Sequence, residues 1–392
     1  MSVPPHVEKI IDSILPRITD LRHKIHSNPE LAGKEFATAA LIRETLAPTG
    51  IKLLKPYLET DVVGILDSGK PGKCVGLRAD IDALPLQEIT GLPYKSLNDG
   101  VMHACGHDGH TAILLGAAMV LNEIKDQLKG SVKFIFQPGE EIAALGKKLV
   151  EAGALKAPKV DAVFALHGFS DMPVGLISSR AGAIMAAAAH FTIKIIGKGG
   201  HCSKPEACID PIVIGSQVVN QLQTIVARRF GPLDVTCLSI CRFSGGLNGN
   251  IIPEEVTLEG STRFLDYEVG KQFPELIENT VKGVCLAGGA KYEFVYDLSY
   301  IPTVNTPEYV DLAEKTVTEC FGKGMWLSME KPFMVAEDFA YYLRECPGAF
   351  CNLGLGEGHI PVHNPGFDFE DKALRSGIIF MVMMALKTMG LE

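Results

Sequence analysis

The sequence predicts an α/β fold, in which a first domain with a mixed, largely parallel sheet flanked by helices carries an inserted βαββαβ domain of the ferredoxin-like type. Three observations support this prediction. The 392 residues exceed what one hydrophobic core holds, β-rich runs alternate with helical stretches before residue 167, and a βαββαβ pattern follows. We expect residues 1–181 and 298–392 to form the first domain, and 182–297 the insertion.

The first domain begins with helices and continues as alternating strands and helices. Apolar residues at helical spacing predict the first helices, Gly-Lys-Pro-Gly separates the first two strands, and a stretch that is apolar on nearly every side predicts a buried helix. The predicted elements are helices within 6–48 and at 111–124 and 147–152, and strands at 61–66, 74–77, 132–136 and 160–166.

The inserted domain follows a glycine-containing linker at 175–182. Its predicted elements are, in order, a strand at 188–196, a helix at 211–226, strands at 235–243 and 255–264, a helix at 267–286 and a strand at 291–296. Helices at 307–321 and 372–389 then return the chain to the first domain, which makes the second domain an insertion.

Composition and charge exclude several classes of partner. A net charge of -9 and an aromatic content of 7% disfavour nucleic acid and anionic membranes. The longest apolar stretch, 377–386, is shorter than the roughly 20 residues that span a bilayer. Ten cysteines without CxxC pairs, together with an N-terminus that lacks a secretory pattern, predict a cytoplasmic protein.

The strongest local motif is His-Ala-Cys-Gly-His-Asp-Gly-His at 103–110, directly before the predicted buried helix. Imidazole and thiolate ligands together suit zinc or a similar divalent ion. A single histidine or cysteine of this kind is often an ordinary core residue. Four such residues within eight favour a metal site.

Carboxylates and a histidine follow the next two predicted strands. Glu140 and Glu141 come after the strand at 132–136, and His167 ends the strand at 160–166. Ligands in open α/β sheets gather at the carboxyl ends of strands. Neighbouring side chains of an extended segment point in opposite directions, so one glutamate can coordinate a metal while the other holds a water. Alone, the glutamate pair is as easily a solvated loop.

Two weaker motifs complete the candidates for this edge of the sheet. Asp80 and Asp82 end another strand, where a carboxylate can accept the free N–H of a metal-bound imidazole and fix its orientation. A surface ion pair with Arg78 is an equally good interpretation of that motif. His363 lies in a loop between Pro361 and Pro365, which hold the backbone extended.

In the inserted domain, Gly-Lys-Gly-Gly-His at 197–201 follows a strand but lacks the spacing of phosphate-binding loops. Asn250 and Arg263 lie around an antiparallel pair of strands. Their amide and guanidinium groups suit a substrate carboxylate, although both residues are equally plausible as hairpin residues.

These motifs, in this order, resemble the M20 metallopeptidase family, in particular its amidohydrolase branch of N-acyl-amino-acid, hippurate and auxin-conjugate hydrolases. The resemblance extends over nearly the whole chain. The matching residues are Leu21-Arg22, His26, Pro29 to Leu31 and Glu35; 78–85; 103–110; Gln137-Pro138 with Glu140-Glu141; Leu166-His167; 197–201 with Asp210-Pro211; 337–339; and 363–365 with 367–369.

The resemblance implies a hydrolase in which a metal-activated water cuts the amide bond of a small N-acyl amino acid. It implies two divalent ions (zinc, manganese or cobalt) and a homodimer or higher oligomer, with the insertion as lid or dimerisation domain. The implied residues are the metal ligands Cys105, His107, Glu141, His167 and His363, the general base Glu140 with Asp80 as second catalytic residue, and the substrate contacts His201, Asn250 and Arg263.

Three departures from the family pattern concern loops: 142–145, 168–170 and Pro205-Glu206. They leave the acyl preference open. Three alternatives also stay open at this point: a dipeptidase or aminoacylase-type peptidase of the same family, a thiol hydrolase that uses Cys105 as nucleophile, and a non-catalytic, metal-stabilised dimeric binding protein.

Overall fold

The computed structural model describes residues 3–142 and 144–391, and contacts within the backbone divide the chain into two units. The first unit comprises Met1–Ile184, Val304–Lys331 and Asp338–Glu392, and the second comprises Met185–Thr303 and Pro332–Glu337. The second unit therefore extends past residue 297, where the sequence places its end, because its last strand continues to Tyr300.

Ten α-helices occur in the described residues. They are α1 (Pro5–Ser27), α2 (Phe36–Leu46), α3 (His107–Glu123), α4 (Leu145–Glu151), α5 (Pro211–Arg229), α6 (Tyr267–Gly270), α7 (Phe273–Gly288), α8 (Pro307–Phe321), α9 (Ala340–Glu345) and α10 (Ala373–Thr388). Within that part of the chain, no helix combines the length and the apolar character needed to cross a membrane.

The strands of the described residues vary from two residues to ten, and three of them contain only two residues. They are β1 (Lys52–Leu53), β2 (Val62–Asp67), β3 (Cys74–Asp80), β4 (Ser131–Gln137), β5 (Ala162–Phe169), β6 (Ile177–Ser179), β7 (Gly182–Met185), β8 (Ala187–Ile196), β9 (Gly200–His201), β10 (Thr236–Ser244), β11 (Ile251–Ile252), β12 (Glu255–Phe264), β13 (Lys291–Tyr300), β14 (Thr303–Asn305), β15 (Trp326–Ser328) and β16 (Gly348–Gly354).

The first unit is built on an eight-stranded sheet in the order β1-β2-β4-β3-β5-β16-β6-β15. Its centre, β4-β3-β5-β16, is parallel, as is the β6-β15 pair, whereas β1-β2, β2-β4 and β16-β6 are antiparallel. Helices cover the parallel centre, as βαβ connections require. The predicted mixed, largely parallel α/β class is confirmed.

Helix α3 is the centre of the first unit's core, and α1 and α10 pack against it. All its residues from His107 to Leu121 are buried, which explains why its sequence is apolar on almost every side. A Cβ atom added at Gly116 would lie 2.6 Å from Ile378 of α10. This glycine therefore permits the close approach of the two helices.

Helix α3 and strand β5 both extend further than the sequence predicts, and in each case the added residues include a site residue. Helix α3 begins at His107 rather than Thr111, because Gly106 (φ 83°) adopts the left-handed conformation that turns the chain into the helix. Strand β5 continues to Phe169, so His167 lies within the strand rather than at its end. Both histidines are consequently held by regular secondary structure.

The second unit has the predicted βαββαβ order. Four of its strands form an antiparallel sheet in the order β10-β12-β8-β13, and residues from α5 and α7 complete its apolar core. The helix predicted at 267–286 is in fact two helices, α6 and α7, with Pro274 in the first turn of the second. Proline lacks the N–H and clashes with the preceding turn, so it begins a helix more readily than it continues one.

Gly270→Ala is expected to lower the free energy of unfolding by about 1–3 kcal/mol, because overpacking a core strains its side chains. An added Cβ would lie 2.1–2.2 Å from three ring carbons of Phe264, whose side chain is fully buried. Gly283→Ala, at an exposed position of α7 with open space around it, is the control, and we expect it to stabilise by up to about 1 kcal/mol. Denaturant unfolding of both variants measures the difference; equal effects would contradict the prediction.

Candidate metal centre and active site

Neighbouring parallel strands of the first unit bring the predicted site residues to one edge of the sheet. Strand β3 ends at Asp80, which is paired with Gln137 at the end of β4, and β5 carries His167 close to its own carboxyl end. The first turn of α3 adds His107 and His110. This is the edge where open α/β sheets place their ligands.

The structure brings together all five residues predicted as metal ligands. Cys105, His107 and Glu141 each offer a donor atom, and these atoms lie within 4.8 Å of one another. The Sγ atom of Cys105 is 3.5 Å from His167 Nε2, and Glu141 Oε1 is 3.1 Å from His363 Nε2. Four of the five side chains are largely enclosed, whereas that of His363 is 53% exposed. The cluster therefore opens to solvent on the His363 side.

The donor atoms fit divalent cations. His107 Nε2 and Glu141 Oε1 are buried, and neither has an aligned hydrogen-bond partner among the described residues. Burying such atoms without an aligned hydrogen bond costs about 1–3 kcal/mol each. A bound cation would satisfy them beside the charge contact between Glu141 and His363. A mixture of thiolate, imidazole and carboxylate donors is what zinc and neighbouring transition metals accept.

A hydrogen bond fixes the loop that carries His363. The backbone N–H of His363 donates to the carbonyl oxygen of Ala104 at 2.7 Å, next to Cys105. The backbone of His363 has a φ of 63°, a conformation that residues other than glycine adopt at an energetic cost and only where the surroundings hold them. The loop is thus tied directly to the Cys-Gly-His motif.

Asp80 and His110 form a buried pair beside the cluster. His110 Nδ1 lies 2.6 Å from Asp80 Oδ1, and Nε2 of the same ring accepts the backbone N–H of Gly168 at 2.7 Å. Arg78 donates to the other oxygen of Asp80 at 2.8 Å. Asp80, predicted as catalytic, therefore has hydrogen bonds with Arg78 and His110 and lies 3.8 Å from His107 Nε2. Through His110 it supports the backbone next to His167.

Asp82 has the contacts expected of the carboxylate that orients a ligand. Its Oδ1 is 3.2 Å from His107 Nδ1, and its two oxygens accept the backbone N–H groups of Glu140 and Glu141, each at 3.1 Å. Asp80 and Asp82 belong to the same strand-end motif, from which the sequence predicts Asp80 as the site residue. The available signal was the Asp-x-Asp spacing at a strand end, which does not distinguish the two.

Glu140 lies in the turn after β4 and is 7% exposed. Its backbone is held by Asp82, and its negative charge contributes to raising the pKa of the Cys105 thiol, after burial and the charge of Glu141. The predicted base is therefore beside the predicted ligands, in a region where little water competes for its carboxylate.

Burial and neighbouring charges set the ionisation of each donor in the cluster. Burial raises the pKa of the Cys105 thiol well above its usual value, and the charge of Glu141 raises it further. Burial also opposes ionisation of Glu141, but its contact with His363 and the charge of His107 bring its pKa below the usual value. Burial lowers the pKa of His167 to about 3, so this imidazole is neutral, as metal binding requires.

The three predicted substrate contacts lie in the second unit. His201 on β9 is paired with Ile251 of β11, and the N–H of Cys202 donates to the carbonyl of Asn250 at 3.1 Å, so His201 and Asn250 are neighbours. Both are exposed. Arg263 lies on β12, and its NH1 atom is buried without a hydrogen-bond partner in the described part of the chain.

The fold and this donor set define a metal-dependent hydrolase of amide bonds. A sequence model of the peptidase family M20/M25/M40 matches residues 76–387, and the chain belongs to this family. The resemblance identified from the sequence motifs is thereby confirmed.

Relatives and a solved structure agree with this assignment. N-acetylcysteine deacetylase of Bacillus subtilis (strain 168) is 39% identical over 360 residues, 91% of this chain and 93% of the relative. Hippurate hydrolase of Campylobacter jejuni is 38% identical over 387 residues, 96% of this chain and 99% of the relative. The Bacillus subtilis YXEP protein, described as a dinuclear metal binding peptidase from the M20 family, matches with a TM-score of 0.84 at 34% identity, covering 97% and 99%.

Proposed function

We propose that this chain hydrolyses the amide bond of N-acyl amino acids, releasing a carboxylic acid and a free amino acid, with Glu140 as the general base. The observation that carries the proposal is the convergence of Cys105, His167 and His363, which are remote in sequence, on one cluster beside Glu140. The names of the deacetylase and hippurate hydrolase relatives support this substrate class.

The proposed ligands of two divalent ions (zinc, manganese or cobalt) are Cys105, His107, Glu141, His167 and His363. Such ions, when bound, lower the pKa of water towards neutrality and polarise an amide carbonyl. The chain itself supplies the geometry of the site. Asp82 orients His107, and the pair formed by Asp80 and His110 supports the strand that carries His167.

Glu140 is proposed to move the proton. Its carboxylate takes a proton from the attacking water, and the resulting carboxylic acid then donates that proton to the nitrogen of the leaving amine. Enclosure of the group is important here, because a carboxylate shielded from solvent interacts more strongly with the reacting atoms. Asp82 holds the backbone at residues 140 and 141, so the two adjacent glutamates keep separate positions.

The thiol-hydrolase alternative is disfavoured by the environment of Cys105. A nucleophilic cysteine needs a lowered pKa, which positive neighbours usually provide. Here burial and two carboxylates raise the pKa of the thiol. Such a thiol is a poor nucleophile, but it becomes a thiolate ligand when a cation is close.

We make further proposals for the substrate contacts, the oligomeric state and the cellular compartment of this chain. We propose that His201, Asn250 and Arg263 contact substrate, and that the unpaired NH1 of Arg263 meets the substrate carboxylate. A homodimer or higher oligomer is proposed from the family resemblance. Ten cysteines without a disulfide support a cytoplasmic location.

A metal-reconstituted activity panel tests the proposed function. We expect release of free amino acid from at least one N-acyl amino acid among the acetyl, benzoyl, long-chain acyl and indole-acetyl derivatives, at rates above those for unblocked dipeptides. A chelator should abolish this activity, and added zinc, manganese or cobalt should restore it. Preference for dipeptides would favour the peptidase alternative. Chelator-resistant activity would exclude the metal-dependent mechanism.

A further inference from the structure

The stretch from Gln137 to Gly146 carries the glutamate pair, and its backbone N–H groups are bound by buried carboxylates from distant parts of the chain. Glu35 accepts the N–H of Gly139 at 2.9 Å, and Asp82 accepts the two N–H groups of the glutamates. These contacts hold the middle of the stretch. Its two ends are bound by a different residue.

Asp338 contacts both ends of this stretch. Its Oδ2 accepts the backbone N–H of Gly146 at 2.7 Å, and both of its oxygens accept from the side-chain amide of Gln137, at 2.8 and 2.9 Å. Arg78 donates to Oδ1 at 3.0 Å. The carboxylate is fully buried, so these hydrogen bonds are formed in a medium of low dielectric constant, where charge-assisted bonds are strong.

Ala144, close to one of these ends, has an unfavourable backbone conformation. Ala144 has a φ of 44°, which a side-chain-bearing residue adopts only where neighbouring contacts fix it. A Cβ at Gly146 would lie 2.7–2.8 Å from the carboxylate atoms of Asp338. Because Gly146 has no side chain, its backbone N–H can form the short hydrogen bond to Asp338. This bond fixes the end of the stretch, two residues beyond Ala144.

We propose that Asp338 is a positioning residue: it holds the two ends of the stretch from Gln137 to Gly146 together and thereby fixes Glu140 and Glu141 at the metal centre. The inference rests on the proposed function of the two glutamates. It assigns a role to the Glu-Asp-Phe motif at 337–339, for which the sequence offers none. Asp338 acts through the backbone of this stretch, and a carboxylate oxygen of Asp338 also lies within 4.8 Å of one from Glu140.

The test is Asp338→Asn in the full-length, metal-loaded protein. Asparagine has almost the same volume as aspartate, but an NH2 group replaces one of the two carboxylate oxygens. This NH2 group then faces N–H groups that previously donated to that oxygen, so those hydrogen bonds are lost. We expect the backbone amides of Glu140, Glu141 and Gly146 to exchange hydrogen at least about tenfold faster. We expect kcat to fall about 10- to 100-fold, as for other residues that orient a metal site, with KM changed by less than about threefold.

Asp61→Asn is the matched control. Asp61 is also fully buried and accepts backbone N–H groups, from Tyr57 and Leu58, neither of which belongs to the stretch from Gln137 to Gly146. We expect both substitutions to lower thermal stability, but Asp61→Asn should cause neither the faster exchange at Glu140 and Glu141 nor the fall in kcat. Equal exchange and equal kcat in the two variants would overturn the proposal.

Gly146→Ala provides a second route if Asp338→Asn does not fold. The added methyl group displaces the carboxylate of Asp338, and the same faster exchange and lower kcat are expected; unchanged exchange would overturn the proposal. Hydrogen exchange also separates this inference from the proposed function. A wild-type protein that hydrolyses no N-acyl amino acid would refute that function, while exchange at Glu140 and Glu141 would still decide the role of Asp338.

Discussion

Glu140→Gln is expected to lower kcat by about 10² to 10⁴-fold while metal content per chain stays unchanged. Glutamine has almost the same size as glutamate but cannot accept a proton from water at neutral pH, so the contribution of general base catalysis is lost. The backbone at this position is held by Asp82, independently of the side chain, so the fold of the turn should persist. Steady-state kinetics with the best N-acyl amino acid and elemental analysis of the purified variant measure the two effects.

Glu151→Gln makes the same change of charge at an exposed position of α4 and is the control, with kcat expected within about twofold of wild type. Full activity of Glu140→Gln would reject the assignment of the base. Loss of metal from Glu140→Gln would instead identify Glu140 as a ligand and exchange its role with that of Glu141.

The assignment of separate roles to adjacent glutamates follows from their surroundings. Glu141 faces His107 and His363 at 3.9 and 3.1 Å, and these neighbours bring its pKa below the usual value against the effect of burial. It is therefore ionised and directed at the donor cluster. The backbone N–H groups of Glu140 and Glu141 both donate to the carboxylate of Asp82. The backbone therefore fixes the position of the proposed base relative to the proposed ligand.

Local motifs and strand ends were sufficient to find most of the cluster from sequence. Cys105 and His107 are two residues apart at the start of a helix. Glu141 follows β4 and His167 lies near the end of β5, and these two strands flank β3 in the sheet. His363 carries no such signal of its own. Its place became predictable only through the family resemblance, because the bond from its N–H to Ala104 joins segments that are far apart in the chain.

Hydrogen bonds between distant residues explain what the sequence did not predict. Asp80 and Asp82 look equivalent at the end of a strand, yet only Asp82 reaches His107 Nδ1 and the glutamate backbone. Asp338 is 201 residues from its partner Gln137. Hydrophobic periodicity reports which residues face a core, but it carries no information about which buried carboxylate accepts which N–H.

Cys105→Ala is expected to remove most bound metal and to reduce activity by more than about 10³-fold. The thiol is buried beside Glu141 and His167, and alanine offers no donor atom in its place. Because a structural or catalytic site binds its cation through a fixed number of ligands, losing one of them lowers affinity strongly. Metal content after gel filtration and hydrolysis of the best substrate measure the two effects.

Cys351→Ala is the matched control, because Cys351 is also a fully buried thiol whose pKa burial raises, to about 12, but it lies on β16 near Ser179 rather than among the donor atoms. This variant should lose some stability through the small cavity and keep its metal. The decisive comparison is between metal content and activity in Cys105→Ala. Loss of both identifies a ligand, whereas loss of activity with full metal content would support a nucleophilic thiol, and retention of both would leave Cys105 as an ordinary core residue.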